Sequence, residues 1–344
     1  MAIQTNPNLV KTLMGWNQAV YITSANGDQP LRVTEYEMGS RQVGDAPDYV
    51  TGNQDRTAWT KGPIEIDGNL SYPLTFEESG TFNGLNMFLF GAELAANIQG
   101  TFGIYSTAGE VIGGCKVQTT TISCNAGEPV QCTSTVWGIT TQDNVSAGNP
   151  SRYLASDAIA LDPLAAKQGE VNGENVDGLF TTVQVPMWDA CYVQGAPDEM
   201  LVVGFSVTID NQLQRNYTMG DQSRRSPWGL NATSISAGQR RITGSITWQS
   251  DDEGLIDYIM GAGINLLTIS IRTADDGIVG SEVPPTGFIM TMENVLWNAN
   301  PPRLATGDRV TVESSFTALG TGDDSFDALS ISGVTVAGGA PFIT

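Results

Sequence analysis

Residues 62–72 read GPIEIDGNLSY and alternate apolar with polar positions, as a β-strand with one buried face requires. Residues 238–248 read GQRRITGSITW and repeat that pattern. At a constant offset, the two stretches match glycine with glycine, branched apolar residues with each other, and Tyr72 with Trp248. The chain is therefore predicted to contain the same β-rich unit twice.

Three more blocks occur in the same order in both halves of the chain. Trp16 with AVYI at 19–22 resembles Trp188 with ACYV at 190–193; GLNMFLFG at 84–91 resembles GLIDYIMG at 254–261; and GEPVQCTSTV at 127–136 resembles GDRVTVESSF at 307–316. The offset changes only across predicted loops, where insertions are tolerated. We predict a first domain over 1–180, with an insertion at about 140–178, and a second domain over 181–344.

Each unit is predicted to be mainly β with one short flanking helix. Leu85, Phe88 and Leu89 form an apolar stripe at helical spacing, and residues 255–259 repeat it in the second unit. Two polar stretches, 39–61 and 211–237, are predicted to be long loops with a function. Residues 140–178 show no strand pattern, although 152–167 could form a helix.

The acidic charge is divided evenly between the halves. The formal net charge is −21, with −11 carried by residues 1–182 and −10 by residues 183–344. An acidic tail would have made this division unequal, so the charge is assigned to folded surfaces of both units. Such surfaces repel nucleic acid phosphates, and the clustered cations that hold DNA are missing.

The composition offers little to catalysis. The chain has four cysteines but no histidine. The absence of histidine excludes Ser-His and Cys-His catalytic pairs and any Cys/His zinc site. Cys132 and Cys191 align with valines of the other repeat, so the thiols are predicted to be buried replacements for apolar side chains. We predict no catalytic residue, cofactor or metal, and neither a secretory signal nor a membrane anchor.

Six residues are candidates for contacts between subunits. They are Arg224, Arg225, Arg240 and Arg241, which are paired cations in a very acidic chain, and the aromatic residues Trp59 and Trp228 within polar loops. Solvated charge is an equally good reading of the arginines. The tryptophans could either anchor an interface or pack on their own domain.

The chain resembles the major tail tube proteins of long-tailed bacteriophages, in a duplicated form. The resemblance depends on VTIDN at 207–211 with its long loop, ITGSITW at 242–248, the helix at 255–260 and GDRVTVES at 307–314. It implies two tandem antiparallel β-sandwich or barrel domains that join sheet to sheet in rings and stack into a hollow tube. Because single-unit members form six-membered rings, a duplicated chain is expected to form trimeric rings.

The resemblance also implies a location and partners. An acidic lumen would let double-stranded DNA pass without binding, and the loops at 39–61 and 211–237 resemble the family's ring-stacking loops. The expected partners are further copies of the chain and other tail proteins, namely the tape measure, terminator and distal tail or baseplate proteins. The protein would belong to the virion and assemble in the cytoplasm of the host bacterium. Alternatives are a terminator, baseplate or decoration protein, or a carbohydrate-binding or hydrolytic β-protein.

Overall fold

A computed structural model of the chain describes residues 20–24, 27–31, 33–45, 60–75, 84–93, 102–106, 110–143, 170–171, 174–175, 185–194, 201–217, 225–226, 229–250, 266–272, 287–299, 310–320 and 328–332. The strands of the first half are β1 (Val20–Ser24), β2 (Gly27–Leu31), β3 (Glu35–Asp45), β4 (Thr60–Pro73), β5 (Phe102–Ser106), β6 (Glu110–Asn125), β7 (Gln131–Gly138), β8 (Thr140–Asp143), β9 (Glu170–Val171) and β10 (Glu174–Asn175). Helix α1 (Gly84–Glu93) follows β4.

The second half is also built of strands. They are β11 (Cys191–Gln194), β12 (Leu201–Asp210), β13 (Gln214–Asn216), β14 (Arg225–Ser226), β15 (Gly229–Leu230), β16 (Ser234–Ser236), β17 (Arg241–Ser250), β18 (Leu267–Arg272), β19 (Gly287–Met292), β20 (Asn294–Ala299), β21 (Val310–Leu319) and β22 (Ser330–Ser332). A 3-10 turn, Trp188–Ala190, precedes β11. The predicted mainly β, antiparallel fold is confirmed, as is the first helix, while the helices predicted at 255–259 and 152–167 lie outside the described residues.

Three of the predicted loops contain strands. The predicted loop at 211–237 contains β13 paired with β16, and β14 paired with β15, because short backbone ladders form there despite the polar sequence. Residues 39–61 were predicted to be a loop, but β3 continues to Asp45 and β4 begins at Thr60, because the two polar strand ends pair with each other. Residues 140–178 were predicted to lack strands, but β8 pairs with β6, and β9 pairs with β10. In all three places, backbone pairing to a neighbour outweighs side-chain polarity, which is the only signal that the sequence offers.

Eight strands form one continuous antiparallel sheet, which we call the central sheet. Its order is β3-β4-β7-β6-β12-β17-β21-β20. The first four strands come from the first half of the chain and the last four from the second. The pairing of β6 with β12 therefore connects the two halves.

A second layer of strands covers one face of the central sheet. In the first half, the start of β6 leaves the central sheet to pair with β5 and β8. In the second half, β18 and β19 pair between β11 and β22. The departure in β6 occurs near Gly114, whose φ of 67° is open to glycine and costly for other residues. Glu293 separates β19 from β20 at the corresponding place in the second half.

The two halves share the register of their central strand pair. In the β4–β7 pair, Tyr72 lies opposite Cys132 and Gly68 opposite Val136. In the β17–β21 pair, the matching residues are Trp248 opposite Val312 and Gly244 opposite Phe316. The pairs therefore agree residue by residue with the offsets read from the sequence.

The core lies between the central sheet and its covering layer. Side chains of both halves belong to one continuous buried cluster, in which Tyr72, Phe88, Trp248 and Phe316 are among the largest members. Phe88 comes from α1, which confirms that the helix presents its apolar stripe to the sheet.

A buried hydroxyl network distinguishes the first half from the second. The Ser134 hydroxyl is hydrogen-bonded to the Tyr72 hydroxyl at 2.8 Å and to the Thr120 hydroxyl at 2.9 Å. Burial raises the pKa of Tyr72 well above its ordinary value, so its hydroxyl keeps its proton at neutral pH. The matching hydroxyl of Ser314 is buried and has no hydrogen-bond partner among the described residues.

Ser134→Ala is expected to lower the free energy of unfolding by about 1–3 kcal/mol, because it leaves two buried hydroxyls without this partner. Ser314→Ala is the matched control and should change that free energy by less than about 0.5 kcal/mol, since it breaks no hydrogen bond. Urea unfolding followed by tryptophan fluorescence measures both variants. Equal losses in the two would contradict the network.

Candidate assembly interface

The junction between β6 and β12 brings two sheet edges together along seven residue pairs, from Gly204 opposite Asn125 to Asp210 opposite Thr119. Side chains on the face of the ladder opposite the buried core also interact. The Thr121 and Thr208 hydroxyls are hydrogen-bonded at 2.9 Å. The junction is therefore a regular antiparallel ladder, of the kind by which separate sheets can associate.

Gln118 connects this ladder to the chain beyond β12. Its Nε2 donates to Asp210 Oδ1 at 2.9 Å, and its Oε1 accepts from the Leu213 N–H at 2.8 Å. Its backbone oxygen accepts from the Asn211 N–H at 2.8 Å. Gln118 lies where β6 shifts its register against β7, which leaves these groups available to the second half.

Asn211 is a fully buried polar residue at the end of the junction. Its Nδ2 donates to the Gly91 carbonyl at 2.8 Å and to the Val117 carbonyl at 2.9 Å. One acceptor belongs to α1 and the other to β6. Asn211 therefore fixes the end of β12 against two elements of the first half.

A short hairpin, which we call the arm, follows β12 and consists of residues 211–217 and 231–237. Its strands β13 and β16 pair with each other, and Leu213 and Ile235 pack on Ile139 of the first half. The arm thus extends the contact beyond the ladder, over the middle of β4 and the end of β7.

Arg215 is the principal polar contact of the arm. Its Nη2 donates to the Ile66 carbonyl at 2.7 Å and lies 3.5 Å from an Asp67 oxygen, while Nη1 is 3.9 Å from Glu65. The guanidinium also lies 4.2 Å from the centre of the Trp137 ring. With only 9% of its side chain exposed, Arg215 is held by charge, hydrogen bonding and a cation–π contact together.

The face of the central sheet opposite the covering layer is rich in hydroxyl groups. One row of paired residues crosses six strands as Ser71, Thr133, Thr121, Thr208, Thr243 and Thr317, and a second crosses four strands as Ser123, Ser206, Ser245 and Ser315. The acids Glu35, Glu37, Glu65, Asp67, Asp210 and Glu313 lie on the same face by strand alternation. This face is therefore polar across the junction, and the arm packs on its β4 and β7 part through Arg215, Leu213 and Ile235.

A model of the phage tail tube protein family matches residues 14–319, which covers most of the chain and both of its halves. The chain belongs to the phage tail tube protein family. A search of curated proteins found no match. Membership confirms the resemblance read from the sequence and identifies a structural component of the phage virion.

The six residues predicted to contact other subunits have different surroundings in this tail tube protein. Arg240 Nη1 donates to the Ala92 carbonyl at 2.8 Å, in the last turn of α1, where carbonyls lack helical partners and cations are favoured. Arg241 is exposed on β17 opposite Asp210, and Arg225 belongs to β14. Trp59, Arg224 and Trp228 lie outside the described residues.

Sequence reasoning missed Arg215, Asn211 and Gln118 in this tail tube protein. Each is a single polar residue in a polar stretch, so no periodicity marks it. The available signal was the pair of apolar residues Leu213 and Ile235 within the predicted loop, which indicates a segment with something to bury.

The cysteines of the tail tube protein are thiols, and Cys115, Cys124 and Cys132 are buried as predicted, whereas Cys191 is only half-buried because it lies on the edge strand β11. Burial raises the pKa of Cys132 above its ordinary value. Cys124 of the first half and Cys191 of the second lie beside each other, and their interaction lowers the pKa of Cys124 and raises that of Cys191. Each thiol also donates to a backbone carbonyl, that of Glu128 at 3.5 Å and that of Met187 at 3.7 Å. The pair therefore adds a contact to the junction.

The described residues of the tail tube protein contain neither a metal-binding cluster nor a membrane-spanning helix. No group of three or more Cys, Asp or Glu side chains is placed to hold a metal ion. No helix within the described part is long and apolar enough to cross a membrane.

Proposed function

We propose that this chain is the major tail tube subunit, that three copies form each ring, and that stacked rings enclose a channel for double-stranded DNA. The observation that carries the proposal is the β6–β12 ladder, which joins the two repeated halves edge to edge. Within the described strands of the central sheet, β3 pairs only with β4, and β20 pairs only with β21. Each chain therefore presents one edge at β3 and one at β20, and another chain can add a strand at either edge.

Head-to-tail joining of unlike edges gives a closed ring when the rotations add up to a full turn. If each half is one tail tube unit, three chains supply six units and a wall of twenty-four central strands. At about 4.8 Å per strand, that wall has a circumference of about 115 Å and a backbone diameter of about 37 Å before strand tilt. Such a channel has room for a DNA duplex.

A single chain could not form this channel by closing its own eight strands. An eight-stranded barrel has an interior just wide enough to be filled by side chains. The polar face would then be buried without water, at a large cost in desolvation. The ring avoids this cost, because the face becomes the wall of a wet channel.

The covering layer and α1 occupy one face of the central sheet, so the opposite, polar face is assigned to the inside of the ring. Its acids outnumber the cations Lys116, Arg215 and Arg241 on the same face and so repel DNA phosphates, while its Ser and Thr rows add hydroxyls that carry no charge. DNA is therefore expected to pass without being held. Partners for the ring stack are other rings and, at the two ends, other tail proteins such as the terminator and the distal tail or baseplate proteins, with a tape measure protein inside.

Native mass spectrometry of the purified protein tests the ring. The expected species is a trimer of the 36.5 kDa chain, and higher masses should rise in steps of three chains as rings stack. A protein that stays monomeric at high concentration, or that assembles in steps of six chains, would contradict the proposal.

A further inference from the structure

We propose that the exposed edge formed by β20 and β21 is a binding site for a second copy of this chain, whose β3 adds to β20 with Arg41 opposite Asn298. The proposal rests on the proposed function, because it specifies how one chain of the ring meets the next. It names the two edges, their register and the apolar residues that the contact buries.

The edge strand β20 has the same position in the second half as β6 has in the first. In the first half, Val117 lies opposite Val136 and Thr119 opposite Thr135. In the second half, Trp297 lies opposite Phe316 and Asn298 opposite Ser315. With β7 and β21 matched as above, Asn298 is the counterpart of Thr119, and Ala299 that of Thr120.

The other edge strand, β3, has the position of β12. Met38 lies opposite Gly68, and Arg41 opposite Glu65. In the second half, Val207 lies opposite Gly244, and Asp210 opposite Arg241. Arg41 is therefore the counterpart of Asp210. Arg41 lies opposite the acid Glu65, and Asp210 lies opposite the cation Arg241, so each pair combines opposite charges with the signs exchanged.

The register between copies follows from these equivalences. Within one chain, Thr119 lies opposite Asp210 and Thr120 opposite Ile209. Transferring each residue to its counterpart pairs Asn298 with Arg41 and Ala299 with Ser40 of the second copy. A shift of one residue would place the polar face of one sheet beside the buried face of the next, so this register is strongly favoured.

The exposed apolar residues of the second half support a second copy as the occupant. Leu296 and Leu319 are 58% and 49% exposed, whereas their first-half counterparts, Lys116 and Ile139, are each 6% exposed. Ile139 is covered by Leu213 and Ile235 of the arm. The arm directly follows β12 in the sequence, and β3 of a second copy takes the place of β12 at this edge. Leu319 is therefore exposed at a position whose counterpart in the first half is covered.

A disulfide between copies tests the register. Directly opposed residues of an antiparallel pair have Cβ atoms about 4.5–5.5 Å apart, close to disulfide geometry, whereas diagonal neighbours are about 7–8 Å apart. A mixture of an Arg41→Cys chain and an Asn298→Cys chain should give disulfide-linked dimers on oxidation, and the double variant should give longer linked species. The matched control combines Arg41→Cys with Asn294→Cys, which lies four residues from Asn298 on the same face of β20 and keeps both leucines, and it should link at least ten-fold more slowly.

A second set of variants tests the apolar contact independently of cysteine chemistry. Leu296→Ser and Leu319→Ser should raise the concentration needed for ring formation at least ten-fold while the monomer keeps its circular dichroism spectrum. Tyr192→Ser is the control, because Tyr192 is 57% exposed on β11, away from this edge, and should leave assembly unchanged.

The outcomes separate this inference from the proposed function. The proposed contact would be overturned if trimeric rings form normally but do not link through Arg41→Cys and Asn298→Cys, and if they tolerate both leucine substitutions. That result would leave the proposed ring intact. A wild-type chain that forms no ring would overturn both. Linking of the opposed pair together with weakened assembly of the leucine variants supports the register and the occupant.

Discussion

Gly244→Ala is expected to lower the free energy of unfolding by about 3 kcal/mol or more, because an added Cβ has no space in the central sheet. The Cβ would overlap the Ser206 carbonyl oxygen and the Phe316 ring. The first obstacle is backbone of β12, and the second is a core aromatic that is 2% exposed, so neither can move cheaply.

The same expectation holds for the matching glycine of the first half. A Cβ at Gly68 would overlap the Glu37 carbonyl oxygen and the backbone of Met38. Gly39→Ala is the control, since a Cβ there meets nothing within 4 Å. Urea unfolding of the three variants provides the test, and Gly68→Ala or Gly244→Ala proteins as stable as Gly39→Ala would show that the two central strands are not packed as described.

Asn211→Ala should lower the free energy of unfolding by about 2–4 kcal/mol, because two buried carbonyls lose a donor at once and each unsatisfied group costs about 1–3 kcal/mol. Those carbonyls belong to Gly91 and Val117, so the substitution also loosens the second half from α1 and β6. Hydrogen exchange should then become faster along β6 and β12 than along β17.

Asn216→Ala serves as the control for this loss. Asn216 is exposed on the arm, and its Nδ2 contacts the Ser234 and Ser236 hydroxyls at 3.2 Å. Replacing it should change the free energy of unfolding by less than about 0.5 kcal/mol, as for most surface sites. If Asn211→Ala is no more destabilising than Asn216→Ala, the junction does not depend on the buried amide.

Much of the fold could be predicted because alternation within a strand depends only on neighbours along the chain. The strands containing Ile66 and Ile242 show that alternation clearly, and the offsets match Tyr72 with Trp248 and Cys132 with Val312, residues that occupy equivalent registers in the structure. Helix α1 was predicted from spacing in the same way. A repeated pattern adds information, because each copy supports the reading of the other.

The junction could not be predicted, since it depends on which edges meet after folding. Thr121 and Thr208 are unremarkable in sequence, yet they face each other between the halves. Likewise, the sequence around Arg215 does not predict its partners Trp137 and Asp67, because both lie in the other half of the chain. Paired arginines stood out by contrast with the acidic composition, and of these Arg240 reaches the first half through a backbone carbonyl.

The most direct test of the central claim is a cross-section of the assembled particle by electron cryomicroscopy. We predict a continuous β-wall with three-fold symmetry and pseudo-sixfold repetition, in which Thr121, Thr208 and Thr243 face an open central channel. A particle without a central hole, or one in which this hydroxyl face points away from the axis, would contradict the account.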